Sequence, residues 1–144
     1  MEISVVIIGR NCETLLTNNY VNRPHEELSF AKEIIYVDSN SQDNSIAIAK
    51  QLNWKVISLS SNSRLSAAAG RNLGAKYAVG DYILFMDCDM VLNLKDNITI
   101  KDLINKHIKG STVGIGGLTL DIFENGDQRL RLKRNKDGEK SDTF

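Results

Sequence analysis

The sequence predicts a single α/β domain with a mostly parallel central sheet, on three observations. Short apolar runs rich in β-branched residues recur along residues 2–92, segments with helical patterning separate them, and each run ends in a polar cluster. Alternating strands and helices of this kind build a parallel sheet covered by helices on both faces.

The first run, EISVVII, is almost continuously apolar, as a strand buried on both sides should be, and it stops at Gly9-Arg10-Asn11. A loosely amphipathic stretch over 13–20 predicts a short helix before Asn22, Pro24 and His25 break the pattern. The second strand is EIIYV (33–37), ending at Asp38-Ser39-Asn40-Ser41-Gln42-Asp43. The last residues of that loop can cap a helix carrying Ile46, Ile48, Ala49 and Leu52. WKVISL is the third strand, followed by Ser60 to Ser63 and a third helix, in which Leu65, Ala69, Leu73 and Tyr77 recur at the spacing of one face. Gly70 and Gly74, each weakening a helix by about 1 kcal/mol relative to Ala, predict a close backbone approach there. Gly80-Asp81 ends this helix, and YILFM (82–86) is the fourth strand, running into Asp87-Cys88-Asp89. Beyond Leu92, residues 95–109 read as a polar helix and STVGIGGLTLDIF as a strand. ENGD is a tight turn, and QRLRLKR, with its basic residues alternating with Leu130 and Leu132, is the second arm of a hairpin.

Composition narrows the partners. With 144 residues, Lys+Arg 18, Asp+Glu 18 and a formal net charge of +0, nothing global points to nucleic acid. No apolar run reaches the roughly 18 residues of a transmembrane helix, and Ile3 to Ile8 is too short for a signal-peptide core, so the expected compartment is the cytoplasm. Cys12 and Cys88 lack C-x-x-C spacing and are expected as free thiols. Asn97-Ile98-Thr99 fits a glycosylation acceptor, a pattern that chance supplies often.

Ligands of open parallel sheets bind beyond the carboxyl ends of the strands. The clusters Gly9-Arg10-Asn11, Asp38-Ser39-Asn40, Ser60-Ser61-Asn62 and Asp87-Cys88-Asp89 all belong to that edge. Residues two apart in extended backbone project to one side, which sets Asp87 and Asp89 together with Cys88 turned away. Two adjacent carboxylates suit Mg²⁺ or Mn²⁺, whose remaining positions go to water and substrate phosphates; the implied partner is a diphosphate. A lone D-x-D also arises as a helix cap or a solvated pair, and Asp38-Ser39-Asn40-Ser41 is ordinary turn material.

In this order, VVIIGRN, IIYVDSNSQDNS and RLSAAAGRNLGAKYAVGDYILFMDCDM resemble the nucleotide-sugar-binding half of the family 2 glycosyltransferases. The resemblance, over Ile3 to about Leu92, implies a GT-A fold, a Rossmann-like three-layer α/β/α sandwich, to which the residue pattern adds a C-terminal strand or hairpin. It implies that Ile8, Gly9, Arg10 and Asp38 hold the base, with Asp38 accepting a base N–H, and that Arg71 faces the nucleotide. Gly70 stands where many family members carry alanine. Asp89 is implied as the principal metal ligand, and Asp87 is implied beside the ribose and the metal. The implied donor is a nucleoside-diphosphate sugar, UDP-sugar foremost, and the implied reaction is transfer to an acceptor hydroxyl of a saccharide, lipid or protein, with inversion. The family's base lies well downstream of the D-x-D and has no match here. The chain is therefore expected to be the N-terminal, donor-binding part of a longer glycosyltransferase, cytoplasmic or membrane-peripheral. Asp121 and Glu124, the nearby carboxylates, fit a hairpin better than a base.

Three rival readings compete with this one. D-C-D-M-V also fits the nucleophile motif of haloacid-dehalogenase-like phosphatases, but that motif ends the first strand and here three strand–helix units precede it. A nicotinamide-binding domain needs G-x-G-x-x-G after strand one, which Gly9-Arg10-Asn11 does not supply, and Gly114-Ile115-Gly116-Gly117 comes late with no helix after it. A non-catalytic nucleotide-sugar-binding module would keep the crevice without transfer.

Overall fold

The computed structural model describes residues 1–23, 28–60, 65–94, 98–110, 119–122 and 128–131. By internal contacts the chain divides into Met1–Ile100 and Lys101–Phe144.

The first unit is the expected alternation. Strand β1 (Ile3–Gly9) leads through helix α1 (Glu13–Leu16) and a π-helical turn (Thr17–Val21) to β2 (Glu33–Asp38). Helix α2 (Ser45–Gln51), β3 (Lys55–Ser58), α3 (Ala67–Tyr77) and β4 (Tyr82–Asp87) follow. All pairings are parallel and the order is β3-β2-β1-β4. The chain thus steps from β1 out to β3 on one side and then crosses to β4 on the other, so the switch point of the topology lies between β1 and β4.

Alternation along β1 distributes two cores. Val5 and Ile7, with Leu16, Tyr20, Tyr36, Ala49, Trp54 and Met86, pack on the face covered by α1 and α2. Val6 and Ile8, with Ile35 and Val37, pack on the face covered by α3. Residues Ile3 to Ile8 are all buried, which is why this run shows no polar alternation. Outside β3, Trp54 closes the first core edge-on to Tyr20, centroids 4.9 Å apart at 74°.

Helix α3 starts at Ser66, whose Oγ accepts from the Ala69 N–H at 3.2 Å. Its sheet-facing residues differ in part from the predicted stripe. Leu65, Ala69 and Leu73 do pack on the second core, but Tyr77 is 45% exposed, with Lys55 Nζ 5.6 Å above its ring. The innermost positions are Gly70 and Gly74, one turn apart, against Ile8, Val6 and Val37.

The expectation of free thiols is overturned: Cys12 and Cys88 form a disulfide, with Cα atoms 6.4 Å apart. They are 76 residues apart in sequence, but β1 and β4 are neighbours in register, so the residues just beyond their ends meet.

The second unit holds most of α4 (Ile100–His107), within the predicted 95–109, and the antiparallel pair β5 (Thr119–Ile122) and β6 (Gln128–Arg131). Leu120 is opposite Leu130 and Asp121 opposite Arg129, as a hairpin requires. The predicted ENGD turn, Glu124 with it, the Gly114 to Gly117 run and Leu132 to Lys136 lie outside the described residues, as do Asn97 and Ser61 to Ser63.

Candidate functional site

Register assembles the edge. Gly9 pairs with Asp38 across β1 and β2, Ile8 with Asp87 across β1 and β4, and Asp38 with Ser58 across β2 and β3. Asp38 and Asp87 therefore flank the end of β1, one strand on each side, with about 5 Å per strand step. Arg10 follows immediately and is exposed. Backbone bonds carry the pairing past the strands: Ser39 N–H to Gly9 O at 2.9 Å, and Cys88 N–H to Ile8 O at 2.9 Å.

Asp89 lies beyond the strand. The sheet ends at Asp87, and Met90 N–H donates to Asp87 O at 2.9 Å, closing a turn in place of the expected continuous extended backbone. The outcome for the side chains is still a division: Asp87 is half-buried and Asp89 exposed, while Cys88 is buried on the opposite side against Cys12. Arg71 projects from α3 onto Asp87, its Nη2 donating to Oδ1 at 2.6 Å. With the two side chains 38% and 35% exposed, this pair is worth about 1 kcal/mol or less to stability, and its value is orientation.

Behind these residues runs a hydrogen-bond relay that sequence reading did not find. The Asp38 carboxylate, 1% exposed, accepts from Ser41 N–H at 2.9 Å and from Ser41 Oγ. Ser41 Oγ in turn accepts from Asn11 N–H, and Asn11 Oδ1 accepts from Gln42 N–H, each at 2.9 Å. Asn11 and Asn40 take left-handed backbone (φ 53 and 63), a conformation asparagine tolerates. A second strut parallels the first. Asp43 accepts from Glu13 N–H at 3.0 Å and from Ser45 N–H and Oγ, while Ser45 Oγ accepts from Cys12 N–H at 2.7 Å. Glu13 answers by accepting from Asn44. Beneath them burial, with Asp38 adding to it, pushes the Tyr36 phenol up to about 12, so it stays neutral under the loops. The available sequence signal was the density of Ser, Asn and Asp at 38–45, which marks local side-chain-to-backbone bonding without naming partners.

This relay is pH-dependent. Burial alone would raise Asp43, but the bonds from Ser45 and from the Glu13 amide hold it below its ordinary range, and hydrogen bonds from Asn44 lower Glu13. A depressed folded value stabilises fully above the unfolded value near 4 and is lost as pH falls through the lower folded one. Urea unfolding at pH 7 and pH 3 should therefore show stability falling with acid. Asp43→Asn should cost on the order of 1–3 kcal/mol at pH 7, and the cost should shrink as pH is lowered below about 4.

Among the described residues no three His, Cys, Asp or Glu side chains converge as a metal cage. Two carboxylates, one half-buried and one exposed, fit a hydrated Mg²⁺ or Mn²⁺ that completes its shell from water and phosphate, and not a structural zinc. Asp87 Oδ1 is engaged by Arg71, leaving Oδ2 for a second partner. A separate cavity of about 340 Å³, lined by Tyr20, Leu28, Ile34 and Trp54 among others, opens at the amino ends of β2 and β3, and its largely apolar walls offer no charge to a diphosphate.

A parallel sheet flanked by helices, with an acidic, arginine-supported carboxyl edge, makes this an α/β domain of GT-A type. The family model for glycosyl transferase family 2 matches residues 4–143, and the chain belongs to that family. It is 30% identical over 111 residues to the uncharacterized glycosyltransferase YfnE of Bacillus subtilis, covering 76% of this chain and 26% of that protein. It is 31% identical over 109 residues to the poly(ribitol-phosphate) beta-N-acetylglucosaminyltransferase TarS of Staphylococcus aureus, covering 71% and 18%. The crystal structure of S. aureus TarS 1-349 matches with a TM-score of 0.56 at 29% identity, over 86% of this chain and 40% of that one. The mannosyltransferase PcManGT of Pyrobaculum calidifontis, at 19% identity and a TM-score of 0.50 over 61% of this chain and 27% of that one, shares the fold. The chain thus spans about a quarter or less of the curated relatives it matches. Among the described residues no helix is long and apolar enough to cross a membrane.

Proposed function

We propose that this chain captures the nucleoside diphosphate part of a nucleotide sugar, UDP-sugar foremost, as the donor-binding part of a glycosyltransferase that passes the sugar to an acceptor hydroxyl with inversion. The observation that carries this is the register of Gly9, Asp38 and Asp87 on three adjacent strands at the switch point, with Arg71 seated on Asp87.

In this reading Ile8, Gly9 and Arg10 line the base, and Asp38, held by Ser41, accepts a base N–H. Ser41 already donates to both Asp38 oxygens, which fixes the carboxylate's orientation and leaves a remaining lone pair for the base N–H. Asp87 and Asp89 hold Mn²⁺ or Mg²⁺, and Arg71 fixes Asp87. When bound, the ion supplies Lewis-acid neutralisation of the departing diphosphate. TarS, 31% identical, is an N-acetylglucosaminyltransferase by name, which agrees in class with transfer of a sugar from an activated donor. Proton abstraction from the acceptor needs a base within hydrogen-bond reach. We assign none to residues 1–110, and activation of the acceptor falls to sequence beyond the donor site.

A thermal-shift panel of UDP, GDP, ADP and CDP, each with Mn²⁺, Mg²⁺ or EDTA, tests the reading. A nucleotide at about a hundred times its Kd should stabilise the fold by about 2.7 kcal/mol, and more strongly with metal than with EDTA. A panel in which no nucleotide shifts the transition rejects it.

A further inference from the structure

We propose that the Cys12–Cys88 disulfide is a redox clasp on the donor site: oxidised, it holds the D-x-D turn against the loop after β1, and its reduction weakens capture of a metal–nucleoside diphosphate. The proposal rests on the donor-site reading given above and adds its regulation.

Placement comes first. Cys88 stands between Asp87 and Asp89, and Cys12 lies two residues after Arg10, so the bond joins the metal-side turn to the base-side loop. The two anchors differ in firmness. Cys12 is fixed through its N–H to Ser45 Oγ, itself tied to Asp43, and is 2% exposed. Cys88 is 9% exposed, in a turn held otherwise by its own N–H to Ile8 O, by Met90 N–H to Asp87 O, by Arg71 on Asp87 at its base and by Tyr20 Oη donating to Met90 O at 3.1 Å.

There is no slack beneath the bond. A Cβ placed on Gly9 would lie 2.6 Å from Cys12 Sγ and 2.9 Å from Cys88 Sγ, so both sulfurs already rest on the β1 backbone. Once unbonded, the two sulfurs separate to van der Waals contact, roughly 3.5–4 Å. Gly9 blocks movement inward and Ser45 restrains Cys12, which leaves the turn at 88–90, beyond the end of β4, to move. That turn carries Asp89, while Asp87 stays paired in β4 and clamped by Arg71, so the spacing of Asp89 from Asp87, Asp38 and Arg10 changes with the redox state.

The exchange balances with a dithiol reductant. One of its thiolates attacks the Sγ of Cys88, the more exposed of the two residues; the Cys12–Cys88 bond breaks, a mixed disulfide forms, and Cys12 leaves as a thiolate that takes up a proton. The reductant's second thiol then attacks the mixed disulfide, freeing Cys88 and closing the reductant's own disulfide. Two electrons pass to the protein, and a disulfide oxidant reverses the sequence. Because the sulfurs are buried, attack requires the turn to open. Coupling is reciprocal, so ligand held across the turn protects the bond by the factor by which the bond strengthens binding.

The test compares UDP and GDP binding with Mn²⁺, by calorimetry, for oxidised protein, for dithiol-reduced protein desalted without oxygen, for reoxidised protein and for Cys12→Ser/Cys88→Ser. Thiols are counted by mass after alkylation. The oxidised and reoxidised forms should bind roughly 5- to 50-fold more tightly than the reduced form. The double variant should match the reduced form and ignore the dithiol, and UDP with Mn²⁺ should slow reduction of the wild type. Equal affinity of oxidised and reduced protein overturns the clasp and leaves the donor site standing. Absence of binding in every form removes the donor site and the clasp with it. Two free thiols persisting after a disulfide oxidant also overturn the clasp. The reduced and reoxidised wild type decides the question even if the double variant does not fold.

Discussion

Asp89→Asn should bind nucleoside diphosphate about as well as the parent in EDTA and lose most of the tightening that Mn²⁺ brings. Asp89 is exposed in the turn that follows β4, so the substitution removes charge from the rim of the site and little else. Losing even an outer-shell partner of a metal costs about 10- to 100-fold in affinity, and a direct ligand should cost at least that. Calorimetry of UDP and GDP, with and without Mn²⁺, measures it. Metal dependence unchanged in the variant would reject the role given to Asp89. Asp38→Ala offers the contrasting pattern: it should weaken binding equally with and without metal. It should also cost stability of about 1–3 kcal/mol, because Ser41 loses the acceptor for its N–H and hydroxyl.

The second large effect is on folding. Gly74→Ala should destabilise the chain although alanine is the better helix former. A Cβ at 74 would sit 2.3 Å from Val6 Cγ1 and 3.2 Å from Val37 Cγ2, in the packed layer between α3 and the centre of the sheet. The helix gains about 1 kcal/mol in propensity, but overpacking a dense core costs about 1–3 kcal/mol or more, and at 2.3 Å the upper end applies. Gly70→Ala separates the two terms. Its Cβ would meet Ile8 Cγ2 at 3.2 Å, a gap closed by a few tenths of an ångström of movement, so the change should be near neutral. Urea unfolding of both variants checks the pair; equal midpoints would mean that α3 is free to ride up off the sheet. Because Arg71 lies one turn before Gly74, a lifted helix would also draw the guanidinium away from Asp87.

What the sequence made legible followed from local pattern. Runs such as ISVVII and YILFM identify strands because burial on both faces leaves no polar alternation, and the clusters after them mark the carboxyl edge because turn residues gather where strands stop. Two glycines one turn apart announced the close approach of α3. What stayed hidden was non-local. The pairing of Cys12 with Cys88 depends on β1 and β4 being neighbours, which spacing cannot report. The struts from Ser41 to Asn11 and from Asp43 to Glu13 join different loops, so composition marked the residues and not their partners. Tyr77 fitted the apolar stripe by spacing, yet it is the last residue of α3 and takes a surface position under Lys55.

The struts between residues 9–13 and 38–45 bear on any attempt to graft loops from another family member onto this domain. Asn11 borrows its conformation from Ser41 and Gln42, and Cys12 and Glu13 take their amide partners from Ser45 and Asp43. The two segments behave as one inheritable cassette. Importing the second segment alone from another family member would place new side chains opposite an unmatched first one, stranding the amides of Asn11, Cys12 and Glu13; a working chimera has to swap both segments together.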